Sequence, residues 1–556
     1  MIKRSLLAAS IAVALVQQVA AAPLLPINAR GLAMGSTGVA SAKLAHAPQY
    51  NPALLSTAND TNDFAIIFPQ LGVVVADEDK VIESFDDIAN EDYADDGNGN
   101  QESIIDHFDT VLTNLDNLLS NGPTSVEQEI KDLEAVLEDD NATSDDLRNA
   151  SLSLDTSVGS VQVQTDDLTL TTFDLTSELD RVSGSPLSGS LGVNGAIAIP
   201  SKTFAAAVSV SGSAYFSGRL FFTKDDQNLL NDYAGAIGGY AKEAKDFTAA
   251  TALLADFLDE ADTACSGGNS QSAECETSKN KVEDQRSVAG DEKAELDDFK
   301  RTSGSTVIIE TDDQSNIVIT EDPDLTSNVQ VIAVAIAEIG VTLSREFVID
   351  GKSIAIGITP KLQTIKTFNY VASIEDENEN EDDESKEIEE TEQNFSDFNI
   401  DIGAVYQFGS SKQWQAGVVV KNLLSKKYKT ESNVYGPTDN EETSKTTISL
   451  DTQLRGGISH TTDWSVVAFD LDLMENAPLA FEEPTKYAAI GAELDLYDTL
   501  QLRFGYRKNL SVSDSAVASV GLGFSSFGIH LDIAAMANPS DREKEAGAAL
   551  ELGFYF

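Results

Sequence analysis

The 556-residue chain carries 92 Asp and Glu against 37 Lys and Arg, a formal charge of -55. That balance excludes nucleic acid as a partner, because polyanion binding rests on Lys and Arg neutralising phosphates and no contiguous basic groove is visible; an acidic surface of this size implies solubility in salt and loose attraction of divalent cations. The length suits two or three ordinary domains or one large barrel with insertions.

At the start, Lys3 and Arg4 precede an apolar stretch at 6–16 and small residues at 19–22, the order of a secretory signal peptide. Ala20-Ala21-Ala22 fits the A-x-A cleavage rule, and because Pro23 would then follow the cut, cleavage after Ala21 is an equal alternative and sets the expected boundary. No later segment approaches the roughly 20 apolar residues of a membrane helix. Next comes NARGLAMGSTGVASA at 28–42, then Tyr50-Asn51-Pro52-Ala53. Gly31, Gly35 and Gly38 permit tight backbone turns, and Pro52 fixes the chain behind Asn51. The glycine spacing is not that of a phosphate-cradling loop. Residues 64–75 alternate as a strand. The stretch 77–148 then shows apolar spacings of three and four, as at Ile104, Phe108, Val111 and Leu115, which predict amphipathic helix. Residues 155–172 look extended, 190–199 pairs with 203–220 around a short turn, and a second helical insertion begins at 224.

Cys265 and Cys275 lie in that second insertion and are expected to form one local disulfide in an oxidising compartment. A metal site would need histidine or further cysteine nearby, and His46, His107, His460 and His530 are scattered. Residues 307–320 look extended, and 329–348 with 352–371 form a hairpin around Asp350-Gly351. The run at 375–392 is too charged to fold and reads as a surface loop. Alternating strands follow at 398–408, 414–420, 448–455, 467–473, 488–496, 500–507, 516–524, 527–535 and 545–556.

Successive strand residues point to opposite faces, and in these strands the charges avoid the apolar face. Asp470, Asp472, Glu493, Asp495, Arg503, Arg507, His530 and Asp532 all share the other side, which predicts lipid outside and a polar lumen inside. Connection lengths alternate with the same regularity. Counting back from the end, 538–544, 508–513, 475–484, 422–444 and 373–395 are long, whereas 525–526, 497–498, 459–463, 409–412 and 349–351 are short. Outer-membrane barrels keep short periplasmic turns and long external loops, so the chain is expected to end in the periplasm and the insertions to lie outside. Leu552, Phe554 and Phe556, ending on an aromatic, are the expected signal for the barrel-assembly machinery.

The segment N-A, G-x-x-M-G-x-x-G-V-A and N-P-A resembles the mature start of long-chain fatty-acid transporter (FadL-type) barrels, and resembles still more the TraF-like outer-membrane proteins named for conjugal transfer. Gly357-Ile358-Thr359-Pro360-Lys361 and the terminal GFYF are also similar to that family. The resemblance implies that Asn28, Gly31, Gly35, Gly38, Asn51 and Pro52 belong to a small hatch inside the barrel. It implies a channel for small apolar molecules, with the lumen charges setting the pore field, or alternatively a surface contact or scaffold protein in conjugative transfer without transport.

The expectation is an all-β transmembrane antiparallel barrel of about 14 strands with an N-terminal plug and acidic α-helical extracellular insertions. Residues 1–21 form the signal peptide, 22–62 the hatch and 63–556 the barrel, with insertions at about 77–150 and 224–302 and the acidic loop at 375–393. Its partners are outer-membrane lipid and the assembly machinery, with small hydrophobic solutes and conjugation components from the resemblance. No catalytic residue, cofactor or metal is expected. G-x-S-x-G is absent from the sequence, and Asp96-Gly97-Asn98-Gly99-Asn100 has Gln101 where a calcium loop needs glycine and His107 where it needs Glu.

Overall fold

The computed structural model describes residues 27–57, 64–90, 93–95, 101–139, 141–266, 271–312, 315–320, 325–373, 387–435, 442–478, 480–513 and 515–555. The expected signal peptide, the segment 96–100, the acidic loop through residue 386 and Phe556 lie outside the described residues.

Fourteen antiparallel strands close into one barrel in chain order. They are β1 (Ala65–Ala76), β2 (Leu187–Ile199), β3 (Ala205–Phe221), β4 (Asn328–Ile349), β5 (Lys352–Ser373), β6 (Gln393–Phe408) and β7 (Trp414–Lys421), followed by β8 (Gln453–Thr461), β9 (Ser465–Asp472), β10 (Tyr487–Leu496), β11 (Leu500–Asn509), β12 (Ala516–Ser526), β13 (Ile529–Ala537) and β14 (Glu545–Tyr555). Closure joins the two ends of the sequence: β1 pairs with β14 from Ala65 opposite Tyr555 to Ala76 opposite Glu545. Closing the sheet removes the edges that would otherwise recruit other chains. Outward side chains such as Val208, Ile339, Phe469, Val520 and Leu531 are exposed and apolar, while their neighbours Asp470, Ser519 and Asp532 are buried inside. The alternation expected from the sequence is therefore the division of the wall.

All the short connections fall on one rim. Asp350-Gly351, Tyr497-Asp498 and Phe527-Gly528 each place two successive residues at positive φ, the backbone that matches the twist of a two-residue hairpin. The other rim bears the insertions. Strands β4 and β5 run 22 residues each, about 70 Å at 3.3 Å per residue, far longer than a bilayer crossing of about 9 to 11 residues. Their upper halves extend the barrel wall, with β4 paired to β3 as far as Asn328 opposite Phe221.

The two insertions build a single helical lobe on that rim. The first carries α1 (Val81–Asn90), α2 (Ile104–Leu119), α3 (Val126–Glu138) and α4 (Ser144–Val182); the second carries α5 (Lys224–Cys265), α6 (Ala273–Asp297) and a small sheet of 300–303, 306–311 and 317–319. Leu115, Leu133, Leu154 and Val161 of the first insertion share one core with Tyr240, Phe247 and Ile308 of the second. Helix α4 opens on a full capping box, in which the Thr143 hydroxyl accepts from the Asp146 N–H and the Asp146 carboxylate accepts from the Thr143 N–H. A disulfide joins Cys265 to Cys275 across the turn between α5 and α6. The ends of the second insertion are tied by Asp226, whose carboxylate accepts from the Thr326 N–H at 2.9 Å and the Ser327 N–H at 2.7 Å.

Two sequence expectations need correction. Residues 155–172, expected to be extended, lie inside the 39-residue helix α4, so the first helical insertion reaches Val182 rather than about 150. The apparent alternation of Val161 with Val163 and Leu168 with Leu170 hides a three-and-four rhythm of buried positions, Leu154, Val158, Val161, Thr165, Leu168 and Leu175. Ile448 and Leu450, expected on the lipid face of a barrel strand, belong instead to a ribbon of 426–429 with 447–450. They pack with Tyr428 against Ile332, Val334 and Ile336 of β4, and the barrel strand begins only at Gln453.

Candidate functional site

The barrel encloses residues 27–57, which fold as two short α-helices, Ala29–Ala33 and Ala47–Tyr50, and two 3-10 turns, Leu44–His46 and Pro52–Ser56. Almost all of this plug is buried. Asn28 starts it: its Oδ1 accepts from the Gly31 N–H at 2.8 Å, and its Nδ2 donates to the Tyr50 hydroxyl at 3.2 Å. Tyr50 fills the space left by two glycines. A Cβ on Gly31 would lie 1.6 Å from its hydroxyl, and one on Gly38 would lie 2.1 Å from its ring. Gly35 sits at φ +65, where a side chain is strained. Asn51 donates to the Val39 carbonyl at 2.9 Å and accepts from the Ala53 N–H, while Pro52 opens the last turn. The motif residues therefore fold one compact unit.

The wall grips this unit with its charges. Glu493 is the hub, meeting Arg30 Nε at 2.9 Å, Lys43 Nζ at 2.7 Å and Arg503 Nε at 2.7 Å. Arg503 extends the chain of charges to Asp532 at 2.5 Å. Asp470 accepts from the Gly38 N–H at 2.8 Å and the Val39 N–H at 3.0 Å, a small nest of backbone donors. Glu551 takes His46 Nε2 at 2.7 Å and Gln70 Nε2 at 3.1 Å. Arg507 donates to the Ser36 hydroxyl at 3.2 Å and pairs with Glu545. Asp472 binds Arg455 at 3.3 Å and the Tyr487 N–H at 2.8 Å.

Five of the eight lumen charges singled out in the sequence, Asp470, Glu493, Arg503, Arg507 and Asp532, thus hold the plug or one another, while Asp472 is held by Arg455 and the Tyr487 backbone. Asp495 and His530 stand apart toward the short-turn rim. Gln501 reaches Asp495 at 3.4 Å, and His530 meets the Ser525 hydroxyl at 2.6 Å and the Tyr555 ring at 4.3 Å between centroids. The charges that meet the plug are engaged with it at hydrogen-bond distance and so fasten it to the wall. Leu552 and Phe554 lie on the outward face of β14, half-buried.

Sequence reasoning missed the groups that admit the plug: glycines on the inner wall. A Cβ on Gly505 would come within 2.0 Å of the Gly35 nitrogen, on Gly403 within 1.9 Å of Asn51 Oδ1, and on Gly491 within 2.4 Å of the Met34 carbonyl. Each sits in the middle of a strand, where glycine costs packing and entropy and so signals a close backbone approach. His46, Arg30, Lys43 and Glu551 were also unassigned. Their partners lie far away in the sequence; Arg30 and Glu493 are 463 positions apart.

Between the plug and the helix-bearing rim lies a cavity of about 840 Å³. Ile27, Leu32 and Ser36 of the plug line it from below, and Val74, Phe481, Tyr487 and Met536 are among its apolar walls. A second cavity of about 20 Å³ between Tyr50 and Arg455 has room for a single water.

The model of a family described as the F plasmid transfer operon TraF protein matches residues 48–472. No curated protein matches the chain. Among solved structures, the chain is similar to the toluene transporter TodX of Pseudomonas putida, with 10% identity, coverage of 96% of this chain and 99% of that one, and a TM-score of 0.40. It is similar to the monoaromatic hydrocarbon channel CymD at 8% identity, with the same coverage and TM-score. CdiB from Acinetobacter baumannii matches at 7% identity over 67% of this chain and 51% of that one, with a TM-score of 0.24.

Proposed function

The chain belongs to the family of the F plasmid transfer operon TraF protein, and on that premise we propose that it is an outer-membrane channel in which the plug governs the passage of small apolar molecules. The helix-bearing rim faces outward and the short turns face the periplasm. The observation that carries the reading is the cavity of about 840 Å³, floored by the plug and walled by apolar side chains among polar ones, as ligand cavities are. A solute entering from the outer rim rests on Leu32 and moves on only when the plug shifts. The plug is seated by its ion pairs together with apolar clusters, in which Leu54 and Leu55 pack with Ile67 and Val405 of the wall and Leu32 packs with Val517 and Met536. The test is solute uptake by cells whose outer membrane otherwise excludes a small aromatic probe. Uptake should depend on the protein and rise when Glu493→Ala loosens the plug; uptake that ignores both would end the channel reading.

A second reading, a surface contact protein in conjugative transfer, is favoured by the lobe. Residues 77–186 carry 29 Asp and Glu against four Lys and Arg, yet α4 exposes Leu152, Val163, Leu170 and Phe173 along one side. Changing these four to serine should lower mating frequency if the lobe makes contacts; an unchanged frequency with a folded barrel would count against it.

A further inference from the structure

The charges around the cavity do not balance. Five carboxylates line it: Glu78, Asp79, Glu482, Glu483 and Glu545. Only Arg507 and Lys544 oppose them. Arg507 is already committed, since its guanidinium pairs with Glu545, donates to Ser36 and lies 4.9 Å over the Tyr487 ring. Lys544 acts on Glu78, whose carboxyl burial nonetheless holds above its ordinary range, with the Ser515 hydroxyl opposing the rise. Asp79, Glu482 and Glu483 then remain without a cation in the lining. Glu482 accepts the Ala480 N–H at 3.0 Å, and Asp79 and Glu483 are exposed.

We propose that this cavity takes small amphiphilic cations, an ammonium or amidinium head on an apolar or aromatic body, and disfavours carboxylates; the proposal rests on the channel reading above and names the solute class. The head sits beside Glu482 and Glu483, and the body lies against Leu32, Val74 and Met536. Tyr215, Phe481 and Tyr487 add ring faces that attract cations. Arg219 over Phe481, at 4.0 Å, and Arg507 over Tyr487 already use one face of each ring in this way. A sphere of this volume is about 12 Å across, little more than the Debye length of about 8 Å at physiological ionic strength, so salt screens the lining only in part. The acidic lobe at the same rim raises the local concentration of cations at the entrance.

The test is calorimetric titration of the full chain in detergent with three probes of one shape: benzyltrimethylammonium, benzyl alcohol and benzoate. The ammonium is expected to bind about tenfold more tightly than the alcohol, and the alcohol more tightly than benzoate, an order set by Coulomb attraction at a few ångströms. Glu482→Gln with Glu483→Gln, at half-buried and exposed positions of a rim loop, should cut the preference for the ammonium to about threefold, and 1 M salt should do the same. Equal affinities for ammonium and alcohol, a preference for benzoate, or no binding of any probe would overturn the proposal. Uptake of the same probes separates it from the channel reading. Selective binding without passage refutes the channel and keeps the site; passage of benzyl alcohol without any preference for the ammonium refutes the site and keeps the channel.

Discussion

The lower and upper halves of the lumen use the same residue types to opposite ends. In the lower half each buried acid at the plug meets a donor: Glu493 has three cations, Glu551 has His46 and Gln70, and Asp470 has two backbone N–H groups. In the upper half the carboxylates outnumber the cations and face an open volume. A polar lumen is thus not one environment. Where the plug brings matching charge the wall becomes a fastening, and where it does not the wall's carboxylates face open space.

The plug is most vulnerable at the hub. Glu493→Ala removes the shared partner of Arg30, Lys43 and Arg503; Arg503 keeps Asp532 and Lys43 reaches solvent, but Arg30 is left buried without an acid, a loss of about 3 to 5 kcal/mol in the seating of the plug. Hydrogen exchange at 28–57 should accelerate while the barrel strands stay protected; unchanged exchange would show that packing alone seats the plug. Gly505→Val attacks the same interface by volume. Its side chain would meet the Gly35 backbone, and overpacking of this kind costs about 1 to 3 kcal/mol, so a protease should cut the plug faster than in the parent. Asp470→Asn is milder, because the amide oxygen still accepts from Gly38 and Val39; weakening two charge-assisted bonds predicts about 1 kcal/mol, read as a small rise in exchange at those two amides. The smallest effect belongs far from the lumen. Leu170→Ser on the exposed side of α4 should change the unfolding free energy of the lobe by less than about 0.5 kcal/mol, and a larger loss would mean that this side is covered.

The parts legible in the sequence were those governed by period and parity. Strand alternation gave the inner and outer faces, and connection lengths ordered the two rims, because both are local properties of the chain. The motif at 28–53 pointed to a plug through resemblance. The grip between plug and wall was not legible, since it joins Arg30 to Glu493, His46 to Glu551 and Gly38 to Asp470 across more than 400 positions. The inner-wall glycines carried a signal, mid-strand glycine on the polar face, but nothing in the sequence said which of them met a backbone. Helix α4 was misread where Val, Thr and Leu mimic a period of two; its burial follows three and four because α5 packs along it. Ile448 and Leu450 matched the barrel rhythm yet turned inward, a choice made by the apolar upper part of β4.

The central claim is that the plug closes the barrel. Single-channel conductance in planar bilayers tests it most directly, comparing the full chain with a variant lacking residues 28–56 whose barrel is verified by strand content and by resistance to detergent. A closed or barely conducting parent is expected, with large, steady openings in the variant. Equal conductance in the two, with both barrels folded, would contradict it.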